Sequence, residues 1–368
     1  MDFNRWASLL MCSIAFANSQ DMNKSACTFA HDKLTYFCSG IVDAFPSTYY
    51  GAYNIKCTGC VIPVFQPGTF PASGEIPSFN LSNSGIENIT SGAFATLPKL
   101  RYLYLQNNKI FGIEPGAFKG LKQIYELNLE HNEMTYIMAG IFNGLNALAV
   151  HLGHNHIKEI LPGSFDGVDQ IITFNLSFND IAILHMDSFK GLQNMEILDL
   201  QHNKICYIPL GLFQYSDVLK GLDLKGNKLR YFMPGTFSGL KRLLTINLAN
   251  NEFSEFDPSL LLPMASIYYL DISRNNLFYL DSQSLHASAP TVKLLMINDN
   301  LWDCPMLTNL IRYFKGVGID TFGTGNGRYD VTNINGIMCL LGSVTYAMPF
   351  NHYMDLVKAS SDKHINYC

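Results

Sequence analysis

The stretch LRYLYLQNNKIFGIEPGAFKGL, residues 100–121, is one copy of a pattern that recurs along most of the chain. Leu103 and Leu105 are separated by one residue, which is typical of a short strand with one buried face. Asn108 then follows inside an otherwise apolar pattern, and Phe118 comes later in the same copy. The segment predicts a strand, a turn that contains a polar amide, and a less regular return.

The pattern repeats every 24 residues, except that the fourth copy is one residue shorter and one residue is added before the last copy. Each copy follows the scheme L-x-x-L-x-L-x-x-N-x-I-x-x-I-x-x-x-x-F-x-x-L. Ser84 fills the asparagine slot of the first copy, and later copies have Asn108, Asn132, Asn155, Asn179, Asn203, Asn227, Asn251, Asn275 and Asn300. The aromatic slot holds Phe94, Phe118, Phe142, Phe165, Phe189, Phe213 and Phe237, then Leu261 and Leu285. A fixed repeat of this length indicates a solenoid in which each unit packs on its neighbours.

The repeated asparagine needs a hydrogen-bonding role, because it lies among core positions. A buried turn leaves backbone N–H and C=O groups unpaired, which costs free energy. An amide side chain has donors and an acceptor, so it can pair with the backbone of adjacent units. We therefore predict a buried ladder of asparagines beside the strands, with the phenylalanine column filling the back of the coil.

Residues 76–300 resemble the 24-residue extracellular type of leucine-rich repeat, in about ten units. The resemblance implies an α/β horseshoe solenoid with about ten short parallel strands on its concave face and an irregular or 3-10 convex side. Disulfide-bonded caps are expected to cover its apolar ends. We expect four regions: a signal peptide at 1–17, a cysteine-rich N-terminal cap at 18–75, repeats at 76–300, and a C-terminal cap and tail at 301–368.

The segment at 1–17 has the features of a secretory signal peptide. Arg5 precedes a mostly apolar run that ends in Ala15-Phe16-Ala17, which fits the small-x-small cleavage rule. A buried first helix is the alternative. No later stretch has the ~20 consecutive apolar residues that a membrane span needs. The net charge of −5 argues against nucleic acid and anionic membranes as partners. We expect a secreted, extracellular protein.

Four N-x-S/T sequons fit an extracellular location, because this motif accepts N-linked glycans. They begin at Asn23, Asn80, Asn88 and Asn175. Asn80 and Asn175 take the position between the two strand leucines, so we expect their side chains on the concave face. A glycan there would restrict access to that face. The alternative is that the sequons stay unmodified.

The cysteines cluster at the two ends of the repeats. Cys12 would leave with the signal peptide, so eight of the nine cysteines remain. The repeats are preceded by Cys27, Cys38, Cys57 and Cys60 and followed by Cys304, Cys339 and Cys368. We expect the N-terminal four to form disulfides among themselves, in a connectivity that the sequence leaves open. A zinc site formed by these four is the alternative.

The segment after the last strand contains W-D-C-x-x-L at 302–307 and G-I-x-C at 336–339. The apolar spacing across 305–315 predicts a helix. This arrangement resembles the C-terminal cap of insect secreted leucine-rich repeat proteins, including the leucine-rich immune proteins of mosquito haemolymph. The resemblance implies a Cys304–Cys339 disulfide. It also implies an immune role in haemolymph, with complement-like thioester proteins or microbial surfaces as partners.

Cys206 and Cys368 are then left over, and three interpretations remain open. Cys206 is an inert thiol, or it pairs with Cys368 or a cap cysteine, or one of the two forms an interchain disulfide in a homo- or heterodimer. Some of the mosquito proteins are disulfide-linked dimers, but those have a long C-terminal coiled coil. No sustained heptads follow the cap here.

The sequence contains no H-E-x-x-H, G-x-S-x-G or P-loop motif, so we expect neither an enzyme nor a cofactor. A histidine group offers the strongest alternative. His131, His154 and His202 each precede the ladder asparagine, and His151 lies on a strand with Glu130 nearby. Because adjacent units lie about 5 Å apart, three of these imidazoles can approach one metal ion. The same histidines are better explained as polar surface residues, because L-x-H-N is an ordinary variant of this repeat, and we predict no metal site.

The outward strand positions supply the candidate binding residues. Their tyrosines and charged side chains are of types found in protein interfaces, although exposed strands also favour tyrosine for β-propensity alone. The candidate set is Arg101, Tyr102, Tyr104, Tyr125, Glu126, Glu130, His131, His151, His154, Glu196, Asp199, His202, Tyr268, Tyr269, Asp271 and Arg274. We predict a non-catalytic protein that binds an extracellular protein or glycan in innate immunity. The alternatives are an extracellular matrix or adhesion protein and an inhibitor of a secreted enzyme.

Overall fold

The computed structural model describes residues 27–31, 33–45, 53–70, 75–168, 170–321 and 332–341. The predicted signal peptide at 1–17, Asn23 and Cys368 lie outside these residues. Within the described part of the chain, none of the helices has the length and apolar character needed to traverse a lipid bilayer.

The described chain is built from short strands and very little helix. The strands are β1 (Cys27–Ala30), β2 (Thr35–Ser39), β3 (Asn54–Thr58), β4 (Val64–Phe65), β5 (Ser78–Asn80), β6 (Asn88–Ile89), β7 (Tyr102–Tyr104), β8 (Gly112–Ile113), β9 (Ile124–Asn128), β10 (Tyr136–Ile137), β11 (Ala147–His151), β12 (Glu159–Ile160), β13 (Thr173–Asn175), β14 (Ile183–Leu184), β15 (Ile197–Asp199), β16 (Gly221–Asp223), β17 (Thr245–Asn247), β18 (Tyr269–Asp271), β19 (Leu294–Met296), β20 (Asp320–Thr321), β21 (Asn333–Ile334) and β22 (Ile337–Met338). The helices are a 3-10 helix (Pro258–Leu261), α1 (Ser282–Ser288) and α2 (Cys304–Gly316).

Fourteen strands form the main sheet, in the order β1-β2-β3-β5-β7-β9-β11-β13-β15-β16-β17-β18-β19-β20. All neighbours in it are parallel except the β1–β2 hairpin. Tyr102 of β7 pairs with Glu126 of β9, one full repeat further along the chain, whereas Glu126 pairs with Ala149 of β11, one position short of a full repeat. The predicted parallel solenoid is therefore confirmed, including the shortened fourth copy.

The other side of the coil is less regular, as predicted. It contains two three-stranded parallel sheets, β4-β6-β8 and β10-β12-β14, and otherwise turns and the short helices. The phenylalanine column lies in the core between the two sides. The ring centroids of Phe94, Phe118, Phe142 and Phe165 follow one another at 5.9, 6.1 and 6.0 Å, with nearly parallel planes. Each turn thus stacks its ring on the turn before it.

The asparagine ladder is buried and links neighbouring turns. The side-chain N–H of Asn132 donates to the carbonyls of Leu129 in its own turn and Leu105 in the preceding turn, at 2.9 and 3.0 Å. Its side-chain oxygen accepts the backbone N–H of Ile110 at 3.0 Å. The amide was expected to bond to the backbone of the turns on both sides. Instead, its partners lie in its own turn and in the preceding turn.

Disulfides lie at both ends of the coil. The N-terminal cysteines pair as Cys27–Cys38 and Cys57–Cys60, and oxidised sulfurs offer no thiolate for the alternative zinc site. Cys304, the first residue of α2, pairs with Cys339 beyond β22. Strand β3 already pairs with β5 in the main sheet. Cys60 lies one full repeat before Ser84 and therefore takes the ladder position of an earlier turn. The coil therefore begins one turn earlier than residue 76.

Candidate functional site

Two rows of outward-pointing side chains cross the concave face of the main sheet from strand to strand. The first row is Tyr102, Glu126, Ala149, Thr173, Ile197, Gly221, Thr245 and Tyr269. The second row is Tyr104, Asn128, His151, Asn175, Asp199, Asp223, Asn247 and Asp271. The core-facing residue of each strand lies between them, so the rows are set by the alternation of the strand.

Most residues of the second row make the same hydrogen bond at the end of their strand. The side-chain oxygen accepts the backbone N–H two residues later, at 3.0 Å for Asn128, 2.8 Å for Asn175, 2.9 Å for Asp199, 2.9 Å for Asp223, 3.0 Å for Asn247 and 2.9 Å for Asp271. Asn and Asp make this bond equally well. Where the turn uses this bond, an Asx side chain supplies it without any need for the negative charge of the aspartates.

A depression of about 410 Å³ lies where Gly221 leaves the first row without a side chain. Ile197, Thr245 and Tyr269 line it in the first row, and Asp199 and Asp223 line it in the second. The backbone of Gly221 is not in the left-handed region, and a Cβ built there would meet Thr245 Oγ1 at 3.4 Å, an ordinary contact. The fold thus tolerates a side chain at this position, and glycine creates the space.

The depression carries carboxylates that make no salt bridge, although Lys225 acts on Asp223 from a distance and opposes the rise of its pKa. Burial raises the pKa of Asp223, and the nearby Asp199 carboxylate raises it further. Asn247 donates to the Asp223 carboxylate at 3.0 Å, and the Tyr269 hydroxyl donates to Asp271 at 3.0 Å. Among the residues that the structure describes, none of these three aspartates makes a salt bridge. Their charge is available to a partner.

A second group of predicted residues meets at the other end of the face. The Arg101 guanidinium lies over the Tyr125 ring, 5.3 Å from its centroid, and Tyr102 packs edge-on against the same ring at 5.8 Å. The Tyr104 hydroxyl donates to Glu126 at 3.4 Å. Burial and Glu126 raise the pKa of Tyr104. This aromatic group is held by internal contacts, in which the Tyr125 ring lies against Arg101 and the Tyr104 hydroxyl bonds to Glu126.

The repeat geometry agrees with a comparison of the sequence with known families. The leucine rich repeat profile matches overlapping segments at 75–134, 103–150, 124–181, 149–205, 173–229 and 217–277, more than half of the chain. The chain belongs to the leucine-rich repeat family. No curated protein matches it in sequence.

Two solved structures of the Toll–Spatzle complex of Drosophila, described as a molecular hub in development and innate immunity, share the leucine-rich repeat fold. The glycosylated form has a TM-score of 0.63 and 20% identity, over 73% of this chain and 37% of the other. A second structure of the complex has a TM-score of 0.61 and 19% identity, over 81% of this chain and 38% of the other. This chain spans less than half the length of those chains, and the likeness establishes the fold alone.

The predicted histidines lie in a third row, along the edge of the leucine-rich repeat sheet. His131, His154, Phe178 and His202 each occupy the slot before the ladder asparagine, with φ of 53–54°. Their rings stack face to face, with centroids 4.2, 4.4 and 4.5 Å apart. His151 is on the second row. Because stacked imidazoles point their nitrogen lone pairs side by side, this arrangement does not converge on a metal ion. Within the described residues no group of three or more His, Cys, Asp or Glu is placed to hold one.

The electrostatics of the stack centre on His154. Burial lowers the pKa of His154, His131 lowers it further, and Glu130 opposes the shift. Glu130 also accepts a hydrogen bond from the side-chain N–H of Asn175 at 3.0 Å. Phe178, which replaces histidine in the same repeat slot, was not among the predicted residues. The period of the repeat is the signal that places it in the stack.

The remaining candidates are distributed more widely. Glu196 is paired with Lys220 at 2.7 Å, and Arg274 with Asp299 at 3.2 Å, while Tyr268 is exposed. The sequence analysis also missed Gly221 and Asp223, which define the depression. A glycine at a first-row position of the repeat is the signal that could have found them.

Cys206 is half-buried and disulfide-bonded. The bond contradicts the inert-thiol interpretation of Cys206. An interchain role for Cys206 or Cys368 stays a prediction.

Proposed function

We propose that this leucine-rich repeat protein is secreted, has no catalytic activity, and binds an extracellular protein through the depression around Gly221. The observation that carries the proposal is the combination of open space with two carboxylates, Asp199 and Asp223, that make no salt bridge among the described residues. Four other turns use asparagine at the same position. Asparagine would therefore serve the turn as well as aspartate does. A role in recognition accounts for the negative charge of Asp199 and Asp223.

The chemistry of the depression fits a lysine or arginine side chain of the partner. Ile197 and Tyr269 would pack against the aliphatic stem, while Asp199 and Asp223 would pair with the charged head. An aspartate that is partly buried and unpaired in the free protein gains most when a cation replaces the lost solvent. A single anchoring side chain in a central pocket is how many protein interfaces obtain their affinity.

We further propose a role in innate immunity, with complement-like thioester proteins or microbial surfaces as candidate partners. The C-terminal cap arrangement and the fold shared with a complex described as a hub in immunity support this role. That complex is also described as a hub in development, which keeps the alternative of an extracellular matrix or adhesion protein. An inhibitor of a secreted enzyme would use the same face. Transcript levels that rise after infection support immunity, whereas levels that follow developmental stage contradict it.

The binding site can be tested by filling the depression without disturbing the fold. In Gly221→Val the side chain enters open space, and we expect capture of extracellular-fluid proteins by the immobilised protein to fall at least tenfold. Asp223→Asn retains the turn bond but removes the negative charge. Binding should therefore also fall, and the loss should be larger at low salt than at high salt. The matched control is Gly316→Ala on α2, where a Cβ meets nothing within 4 Å.

Stability measurements separate loss of binding from loss of folding. Because the pKa of Asp223 is raised, its stabilising contribution is complete below the ordinary aspartate pKa and is lost as the pH rises through the raised value. Asp223→Asn should therefore unfold at the same or a higher temperature than wild type at pH 7. If both depression variants fold normally and capture the same proteins as wild type, the binding surface lies elsewhere.

A further inference from the structure

A groove of about 390 Å³ lies on the side of the coil away from the main sheet, beside β6, β8 and β10. The side chains of Phe111, Tyr136 and Met138 line it and are 57%, 49% and 52% exposed. Three large apolar side chains exposed in one place favour a covering partner. Asn88, the first residue of a sequon, lies in the same groove.

Gly112 has no backbone reason to be glycine. It pairs with Asn88 across β6 and β8, and its φ is not in the left-handed region. A Cβ built on Gly112 would collide with the side-chain oxygen of Asn88. Any other residue here would thus displace the Asn88 amide from the floor of the groove. Glycine gives that amide room in the groove that Tyr136 also lines.

Thr90, the third residue of the sequon, has a hydroxyl that the fold does not use. The Thr90 Oγ1 atom is buried and has no hydrogen-bond partner within the described residues. A buried, unpaired hydroxyl destabilises the folded state relative to the isosteric methyl group of valine. Recognition of the sequon takes place on the unfolded chain and requires a hydroxyl at this position. The glycosylation motif accounts for a hydroxyl that packing does not explain.

We propose that Asn88 carries an N-linked glycan whose first sugar lies on Gly112 between the rings of Phe111 and Tyr136. The inference rests on the proposed secretion. Asn88 Nδ2 forms a bond to the anomeric carbon of a lipid-linked diphospho-oligosaccharide, the carbon–oxygen bond to phosphate breaks, and the diphosphate leaves with the amide proton. The apolar face of the sugar packs on the aromatic rings and covers the groove. The Gly221 depression lies on the main sheet, away from this sugar.

Occupancy of Asn88 is tested by secretion of the full chain from insect cells and peptide mass mapping. Wild type and Thr90→Ser keep the sequon, so both should carry a glycan at Asn88. Thr90→Val is isosteric but lacks the hydroxyl, and it should lose that glycan alone. When N-glycosylation is blocked by an inhibitor, Thr90→Val should be at least as stable as wild type, which excludes misfolding as the cause of the loss.

The position of the first sugar is tested by thermal unfolding of glycosylated protein and of protein secreted in the presence of the inhibitor. We expect glycosylation to raise the Tm of wild type by about 2 °C. An endoglycosidase that leaves one sugar on the asparagine should preserve the gain. Tyr136→Ser should abolish the gain without loss of the glycan, whereas Tyr279→Ser, an exposed tyrosine outside this groove, should retain it.

The outcomes separate this inference from the proposed function. A secreted protein with glycans at other sequons but none at Asn88 overturns the inference and leaves secretion intact. An occupied Asn88 whose Tm gain survives in Tyr136→Ser overturns the position of the sugar. A chain that stays inside the cell with every sequon unmodified overturns the proposed secretion, and the inference with it.

Discussion

Asn203 shows how one side chain serves two turns of the coil. Its N–H group donates to the carbonyls of Leu176 and Leu200 at 2.9 and 3.0 Å, and its oxygen accepts the N–H of Ile181 at 3.0 Å. All three are backbone groups that the turn leaves without a strand partner. The Ile181 N–H is buried and has no other partner among the described residues, so without Asn203 it would stay unpaired, at a cost of about 1–3 kcal/mol. The two carbonyls would each lose one of two hydrogen bonds, since they also accept from Asn179 and Asn227 at 3.1 and 3.0 Å.

Asn203→Ala is therefore expected to lower the free energy of unfolding by about 3 kcal/mol or more. Chemical denaturation followed by far-ultraviolet circular dichroism measures the change. The control is Lys204→Ala in the next position, which removes only an exposed pair with Asp180 and should cost about 0–1 kcal/mol. Similar losses in the two variants would mean that the ladder does not carry the turns.

The contrast between Asn203 and Gly221 explains what the sequence could predict. The ladder asparagine recurs at a fixed interval among apolar residues, so its burial and its role follow from one chain. Gly221 marks a missing side chain in the first row, but the sequence alone does not give the shape of the depression, because Ile197 and Tyr269 on other turns also line it. The role of the Asp223 charge could likewise not be predicted from the sequence, since asparagine and aspartate make the same turn bond.

At the scale of the element, the residue before each ladder asparagine adopts a left-handed conformation. Asn107, His131, His154 and Asn250 have φ of 57°, 54°, 54° and 55°. Asparagine and histidine tolerate this region better than most residues. Local backbone preference thus accounts for the histidines, and the stacking of their rings is a consequence of the repeat. The sequence predicted their exposure but not the face-to-face stack, which depends on side-chain rotamers.

The stack predicts a measurable change in the titration of His154. His131→Asn keeps a residue suited to the left-handed slot and removes both the covering ring and its charge, so the pKa of His154 should rise. Glu130→Gln removes an attractive carboxylate, so the pKa should fall. Nuclear magnetic resonance titration of the imidazole protons measures the pKa of His154 in both variants. If His131→Asn and Glu130→Gln give the same pKa, the stack is not the cause of the shift.

The sign of the pH dependence follows from the same shift. Because the folded-state pKa of His154 is lowered, neutral His154 contributes its full stability above its ordinary pKa. That contribution is lost as the pH falls through the ordinary value toward the lowered one. His131→Asn should therefore weaken the dependence of stability on pH in this range.

At the scale of the whole molecule, the hydrophobic core runs along the length of the coil, so its two ends must be covered. Each turn contacts only its neighbours, so a terminal turn lacks support on one side. At the C-terminal end α2 supplies it, with Leu307, Leu310 and Phe314 buried among residues of the core. The helix begins at a capping Asp303, and the Cys304–Cys339 disulfide joins its first residue to the segment after β22. The cap thus replaces the missing next turn.

Removing this disulfide is expected to loosen the last turns and leave distant turns unchanged. The bond closes a loop with a sequence separation of 35, worth about 4 kcal/mol in the loop-entropy estimate. In the Cys304→Ala/Cys339→Ala variant, amide hydrogen exchange should accelerate in β19, β20 and α2 but not in β7 and β9. The control, Cys57→Ala/Cys60→Ala, opens a loop with a separation of 3 and should affect only the N-terminal turns, and less strongly. A chain of nearest-neighbour contacts loses protection from the end that is opened. Faster exchange spread evenly over all strands would therefore show that the coil unfolds as one cooperative unit instead.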